Sequence, residues 1–128
     1  MGFADKYNKQ RSGYTYAYPE KDHAVYTNLK ELMLSYGKDH LYTVYAFYIG
    51  TKGKYGPQAS AAIGDITIVN LPGFMLEDIR QMIADDELTA AINAGEFGFK
   101  IIEKIRKSTK QKYYTVEWID IPAAPLPF

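Results

Sequence analysis

From residue 41 onward, apolar positions follow first one spacing, then another, then the first again. Residues 41–49 (Leu-Tyr-Thr-Val-Tyr-Ala-Phe-Tyr-Ile) are aromatic and β-branched and stop at Gly50, the composition of a strand. After the loop 50–57, a further extended segment runs through Ala59–Ile63 and, past Gly64-Asp65, through Ile66–Val69. Pro72-Gly73 ends it. From Phe74 to Ala94 the period is helical: Met75, Ile79, Met82 and Ile83 form one stripe, and Leu88, Ala91 and Ile92 another. Asp85 reads as an N-cap that divides this block into two short helices with Leu88 at N3, and Gly95 as the C-terminal stop. Strand spacing then resumes. Phe97, Phe99, Ile101 and Ile105 alternate with Lys100, Lys104 and Arg106, with Ile102 interrupting the polar row. In 113–121, Tyr114, Val116 and Trp118 share one face, and Tyr113, Thr115, Glu117 and Ile119 the other.

Residues 24–36 admit two readings. Asn28 caps a helix whose Leu29, Leu32 and Met33 share a face, or the run is a strand; Gly37-Lys38-Asp39 then turns the chain. The order is (strand or helix)–β–β–α–β–β, mainly β. A helical block between the third and fourth of five strands is the connectivity of a five-stranded OB-like barrel. Residues 1–22 carry Lys6, Lys9, Arg11 and Lys21 among Tyr7, Tyr14, Tyr16 and Tyr18 with almost no aliphatic residues, so they read as a flexible, basic, Tyr-rich arm. Residues 123–128 (Ala-Ala-Pro-Leu-Pro-Phe) read as a Pro-rich tail. The folded domain is expected over 23–122.

The length of 128 residues fits one domain. With no cysteine, disulfides, thiolate metal sites and cysteine nucleophiles are excluded. The N-terminus has no apolar run behind a basic start, and no window approaches 18 uncharged apolar residues. Neither a secretory signal nor a membrane partner is expected, and the location expected is cytoplasmic. Fifteen Lys and Arg balance fifteen Asp and Glu, which excludes a uniformly basic nucleic-acid binder but not one with a local basic surface. The outlying quantity is tyrosine, 12 of them beside 6 Phe and 1 Trp. A flat apolar ring with a polar tip suits strands and wet contact surfaces.

Enzyme chemistry finds little to work with. Asp22-His23 and Asp39-His40 each place a carboxylate beside an imidazole, but no third ligand stands at helical spacing and both pairs flank turns. Asp85-Asp86-Glu87 is what a helix N-terminus favours without any metal. No Ser-centred nucleophile elbow occurs. Gly53-Lys54 lacks the flanking pattern of a phosphate-binding P-loop, and Gly53-Lys54-Tyr55-Gly56 joins two strands where the clamp of KH domains joins two helices. The reading is a non-enzyme with no cofactor and no metal.

Binding of single strands needs a cationic track for phosphates and aromatic faces for bases. The stretch 100–112 supplies Lys100, Lys104, Arg106, Lys107, Lys110 and Lys112 against one acid, Glu103. In an OB-fold the loop joining the last two strands borders the ligand groove. Lys52, Lys54 and Tyr55 make a second basic, aromatic loop. The acids cluster elsewhere, in Glu77, Asp78, Asp85, Asp86, Glu87 and Glu96. The rings available are Tyr42, Tyr45, Phe47, Tyr48, Tyr113, Tyr114 and Trp118; alternation turns about half of them inward without saying which. Tyr42, Tyr48, Tyr55, Tyr114 and Trp118 are taken as the stacking candidates.

Four features taken together resemble the small single-stranded-DNA-binding proteins of bacteriophages and mobile elements of Gram-positive bacteria. They are the strand order, the loop Lys52-Gly53-Lys54-Tyr55-Gly56-Pro57, the segment Ile92–Phe99 and the ending Val116-Glu117-Trp118-Ile119-Asp120-Ile121. The resemblance implies non-specific binding of single-stranded DNA in phage or mobile-element replication and recombination inside a bacterial host cell. The final Leu126-Pro127-Phe128 is similar to the terminal tip by which bacterial relatives in function recruit replication and recombination proteins, although Ala123-Ala124-Pro125 stand where acids should precede it. RNA remains open as a ligand. A homo-oligomer, dimer or tetramer, is expected from edge-strand pairing. The alternative reading is a protein–protein module, phage-encoded or a host-takeover factor, using the Tyr-rich surface.

Overall fold

In the computed structural model, which describes residues 14–20, 22–50 and 56–122, the stretch 24–36 is both of the things its sequence allows. Strand β1 (Val25–Asn28) runs directly into helix α1 (Leu29–Tyr36). Asn28 ends the strand with extended backbone, and its Oδ1 accepts the Glu31 N–H at 2.9 Å, so one residue closes one element and caps the next. Leu29 and Leu32 are buried, and Gly37 stops the helix at φ 79° with its N–H on the Met33 carbonyl.

The aromatic run after it is shared between two sheets. Strand β2 (Tyr42–Thr43) pairs antiparallel with β6 (Phe97–Ile105), Tyr42 opposite Phe99 and Thr43 opposite Gly98. The Val44 N–H still donates to the Phe97 carbonyl at 2.9 Å, but the Tyr45 N–H already donates to the Ala62 carbonyl at 2.8 Å. From Ala46 the chain continues as β3 (Ala46–Gly50), antiparallel to β4 (Gln58–Ala62). Gly98 makes the crossing possible: a Cβ there would collide with the backbone carbonyl of Tyr42.

Residues 59–69, read as one extended segment, fold back at Gly64-Asp65 into a hairpin of β4 and β5 (Thr67–Asn70), with Ala62 opposite Ile68. After a 3₁₀ turn (Gly73–Met75) come α2 (Leu76–Ile83) and α3 (Asp86–Asn93), and the hairpin of β6 and β7 (Lys112–Asp120) completes the order. Asp85 accepts the Leu88 N–H at 3.2 Å, and Gly95 at φ 75° ends α3, as the sequence predicts.

The protein is β-rich, with its helical block between strands, but the expected five-stranded barrel is not what these strands build. They form two sheets, β1-β5-β4-β3 and β2-β6-β7, that do not close on each other among the described residues. The physical reason is β1: it takes the outer edge of β5 in parallel register, Val25 opposite Thr67, and β7 pairs with β6 alone. Phe47, Phe99, Ile68, Ile79, Ile92, Val44 and Val69 fill the space between the sheets and helices.

Residues 14–18 belong to this body and correct the boundary placed at 22. Tyr14 is only 8% exposed within the core. The Thr15 N–H donates to Asn93 Oδ1 at 3.0 Å, and the Tyr16 hydroxyl lies 2.8 Å from the Gly64 carbonyl oxygen. Tyr18 sets its ring edge-on to Tyr48 at 4.8 Å. Tyr14 docks by its buried ring, and Tyr16 and Tyr18 by ring and hydroxyl, a mode of attachment that leaves no aliphatic period in the sequence.

Candidate nucleic-acid interface

The β6–β7 hairpin pairs along its whole length, from Phe97 opposite Asp120 to Ile105 opposite Lys112. Alternation then sorts its faces. Phe97, Phe99 and Ile101 turn inward, and Trp118 lies among them, its ring 5.5 Å from Phe97, 5.9 Å from Phe99 and 5.6 Å from Phe47. Register and pleat put Lys100, Ile102 and Lys104 on the outer face with Tyr113, Thr115 and Glu117 opposite. The hairpin is closed tightly: the Arg106 N–H donates to the Gln111 carbonyl at 2.9 Å and the Lys110 N–H to the Arg106 carbonyl at 2.8 Å. Lys110 adopts φ 56°, a conformation that this turn geometry imposes on a non-glycine residue. Lys104, Arg106, Lys107, Lys110 and Lys112 are all exposed, and the run 104–112 contains no acid.

The Arg106 guanidinium carbon sits 5.5 Å from the centroid of the Tyr113 ring, a cation–π contact that holds the charge beside an aromatic face. Phe74, in the 3₁₀ turn, meets the same ring edge-on at 6.2 Å and stays 56% exposed. Phe74, Lys104, Arg106, Lys107, Ser108, Tyr113 and Thr115 line an open groove of about 780 Å³. A second groove of about 440 Å³ shares Phe74 and Tyr113 and continues past Tyr114 toward Leu29, Leu71 and Pro72, with Lys30 its one charged lining residue.

Of the predicted site residues, the structure gathers Lys104, Arg106 and Lys107 in the groove and leaves Lys110 and Lys112 exposed nearby, at the turn and on the first residue of β7. Lys100 is half-buried on the outer face of β6, opposite Glu117. Lys112 approaches Glu103 at 3.6 Å, and the Tyr114 hydroxyl donates to the same carboxylate at 3.3 Å, so Tyr114 borders the second groove with its polar tip engaged. Three stacking candidates change places. Tyr42 is buried, its hydroxyl donating to the Leu32 carbonyl and its ring stacked on Phe99 at 5.3 Å. Tyr48 is half-buried beneath Tyr18, and burial pushes its hydroxyl well above the usual tyrosine range. Trp118 is held among core phenylalanines. The first two strand faces turn inward because a second layer covers them, and Trp118 because β7 lies beside the Phe97–Phe99 row. Lys52, Lys54, Tyr55, Leu126, Pro127 and Phe128 lie outside the described residues.

Of the groove's aromatic residues, Phe74 escapes the sequence reading, and Tyr113 is counted among the available rings but not among the stacking candidates. Phe74 stands off the apolar stripe of its helix, an aromatic residue with no inward position to fill. Tyr113 falls on the polar face of its strand, in step with Lys104 once the register is known. Both signals are visible afterwards, neither before the register.

Glu103, Glu117 and Asp120 are the acids of the hairpin, whereas Glu77 pairs with Arg80 at 3.6 Å on α2, and Asp85, Asp86 and Glu87 sit at the start of α3. Among the described residues no three of His, Asp and Glu gather as a metal site, and no helix is long and apolar enough to cross a membrane. Chemically the groove offers fixed cations beside open ring faces, a combination that holds a phosphate and a planar base together. No family model, curated protein or solved structure matches the chain.

Proposed function

We propose that the chain binds single-stranded DNA without base specificity, along the outer face of the β6–β7 hairpin. One observation carries this reading: Arg106 over Tyr113, beside exposed Phe74, in a groove whose rim bears Lys104 and Lys107. Ring faces stack on any base, and Lys and Arg follow the backbone, which together give affinity without sequence readout. The order of elements from 42 to 120 is that of an OB-type domain, which supports the reading. A strand shared by both sheets, a meander, a helical block and a last hairpin occur in that order, with β1 inserted where the barrel would close. In that architecture the loop 106–111 borders the ligand groove. No catalytic step enters this reading; its setting is the replication or recombination of a phage or mobile element.

The test is fluorescence anisotropy of a labelled oligo-dT at a series of NaCl concentrations. Neutralising three or four phosphates gives a slope of log K against log salt of about −2 to −3. Absence of binding at tens of micromolar protein in low salt, or binding indifferent to salt, overturns the proposal. Oligo-U measured in parallel decides whether RNA shares the groove.

A further inference from the structure

Strand β7 is nine residues long and pairs with β6 alone among the described residues, so its other side has no strand partner among them. The ladder fixes which residues face that edge. Gln111 accepts from Arg106 at one end and the Ile121 N–H donates to Glu96 at the other, so odd-numbered residues aim their backbone groups at β6. In an antiparallel ladder alternate residues aim to opposite sides, so Lys112, Tyr114, Val116, Trp118 and Asp120 present both N–H and C=O outward. This edge carries no proline, and its pairing with β6 shows no bulge, two of the devices that protect against edge-to-edge association.

The outward residues are also complementary to themselves. We infer that β7 pairs antiparallel with β7 of a second copy of this chain, centred on Val116. In that register Lys112 of each copy faces Asp120 of the other, and Tyr114 faces Trp118, so two opposite-charge and two aromatic cross-strand pairs form about one two-fold axis. Slipping the register by two positions either way leaves both charges opposite uncharged residues or none, and drops outward residues from the ladder. The second groove flanks the Tyr113–Tyr114 end of this edge, where Ile119 of the second copy lies opposite Tyr113. The axis stands perpendicular to the sheet, so both copies turn Tyr113 to the same face, about 20 Å apart along the strands. The pairing rests on the edge and its charges, not on what the first groove binds.

The experiment is sedimentation equilibrium of the full chain. Wild-type protein is expected as a dimer at tens of micromolar. Asp120→Lys sets Lys against Lys112, and Lys112→Glu sets Glu against Asp120; each substitution acts twice across the axis and weakens the dimer by roughly tenfold to a hundredfold. Mixing the two variants places Lys112 opposite Asp120 and Lys at 120 opposite Glu at 112, so the mixture dimerises although neither variant does alone. That recovery shows that both variants are folded. Val116→Pro removes an outward N–H without touching the β6 ladder and abolishes the dimer while leaving the far-ultraviolet spectrum in place. A monomeric wild type, a dimer unaffected by Val116→Pro, or a mixture no more dimeric than its components overturns the inference.

Discussion

Tyr113→Ala separates stacking from charge at the groove. The ring is half-buried on the outer face of β7, with Phe74 edge-on at 6.2 Å and Arg106 above it at 5.5 Å, while the backbone groups of Tyr113 point at β6. Truncation therefore leaves the ladder and the core intact and removes a base platform. Loss of one stacked base is worth about 1–3 kcal/mol, which weakens oligo-dT binding by about 5- to 150-fold. Tyr113→Phe retains the face and most of the affinity. Because no charge is removed, the salt slope of Tyr113→Ala matches that of the wild type, and only the intercept falls. Lys104→Ala does the converse: the slope becomes shallower by about 0.7, the share of one phosphate contact on a single strand. Anisotropy titrations of both variants at four or five NaCl concentrations read intercept and slope separately. If Tyr113→Ala binds as wild type does, or if it alters the slope while Lys104→Ala does not, the groove is not the binding surface.

Three further outcomes follow from the same coordinates. Gly98→Ala forces a methyl group against the Tyr42 carbonyl, backbone that yields only if β2 parts from β6; an overpacking loss of about 1–3 kcal/mol is expected in urea unfolding, with a lower midpoint. Asp85→Ala removes the acceptor of the Leu88 N–H and costs about 1 kcal/mol, seen as a melting temperature lower by a few degrees. Burial raises the pKa of Tyr18 to about 12 and that of Tyr48 further, above the ordinary value of 10.0. Folded protein therefore holds these protons more tightly than unfolded chain does. Stability is full below pH 10, falls as the unfolded tyrosines ionise, and is lost through the folded pKa values. Urea midpoints between pH 9 and 12 should decline, and Tyr48→Phe should flatten that decline.

The run of strand, helical and strand periods was legible in the residues. So were the Asp85 cap, the Gly95 stop and the concentration of cations between 104 and 112, because each depends on neighbours a few positions apart. The ambiguity at 24–36 was legible too, and it was real: Asn28 serves both elements. Alternation defines two faces of a strand but is silent on which one is covered, since that depends on the layer laid over it. Tyr42 and Trp118 went inward for this reason, one beside Phe99 and one among Phe47, Phe97 and Phe99. The approach of Phe74 to Tyr113 depends on the path of the whole chain between them. The edge of β5 went to β1, a four-residue strand whose claim lies in pairing rather than in composition. Local spacing thus set the elements and the charge, whereas long-range pairing chose the buried faces and brought two distant rings beside the cations.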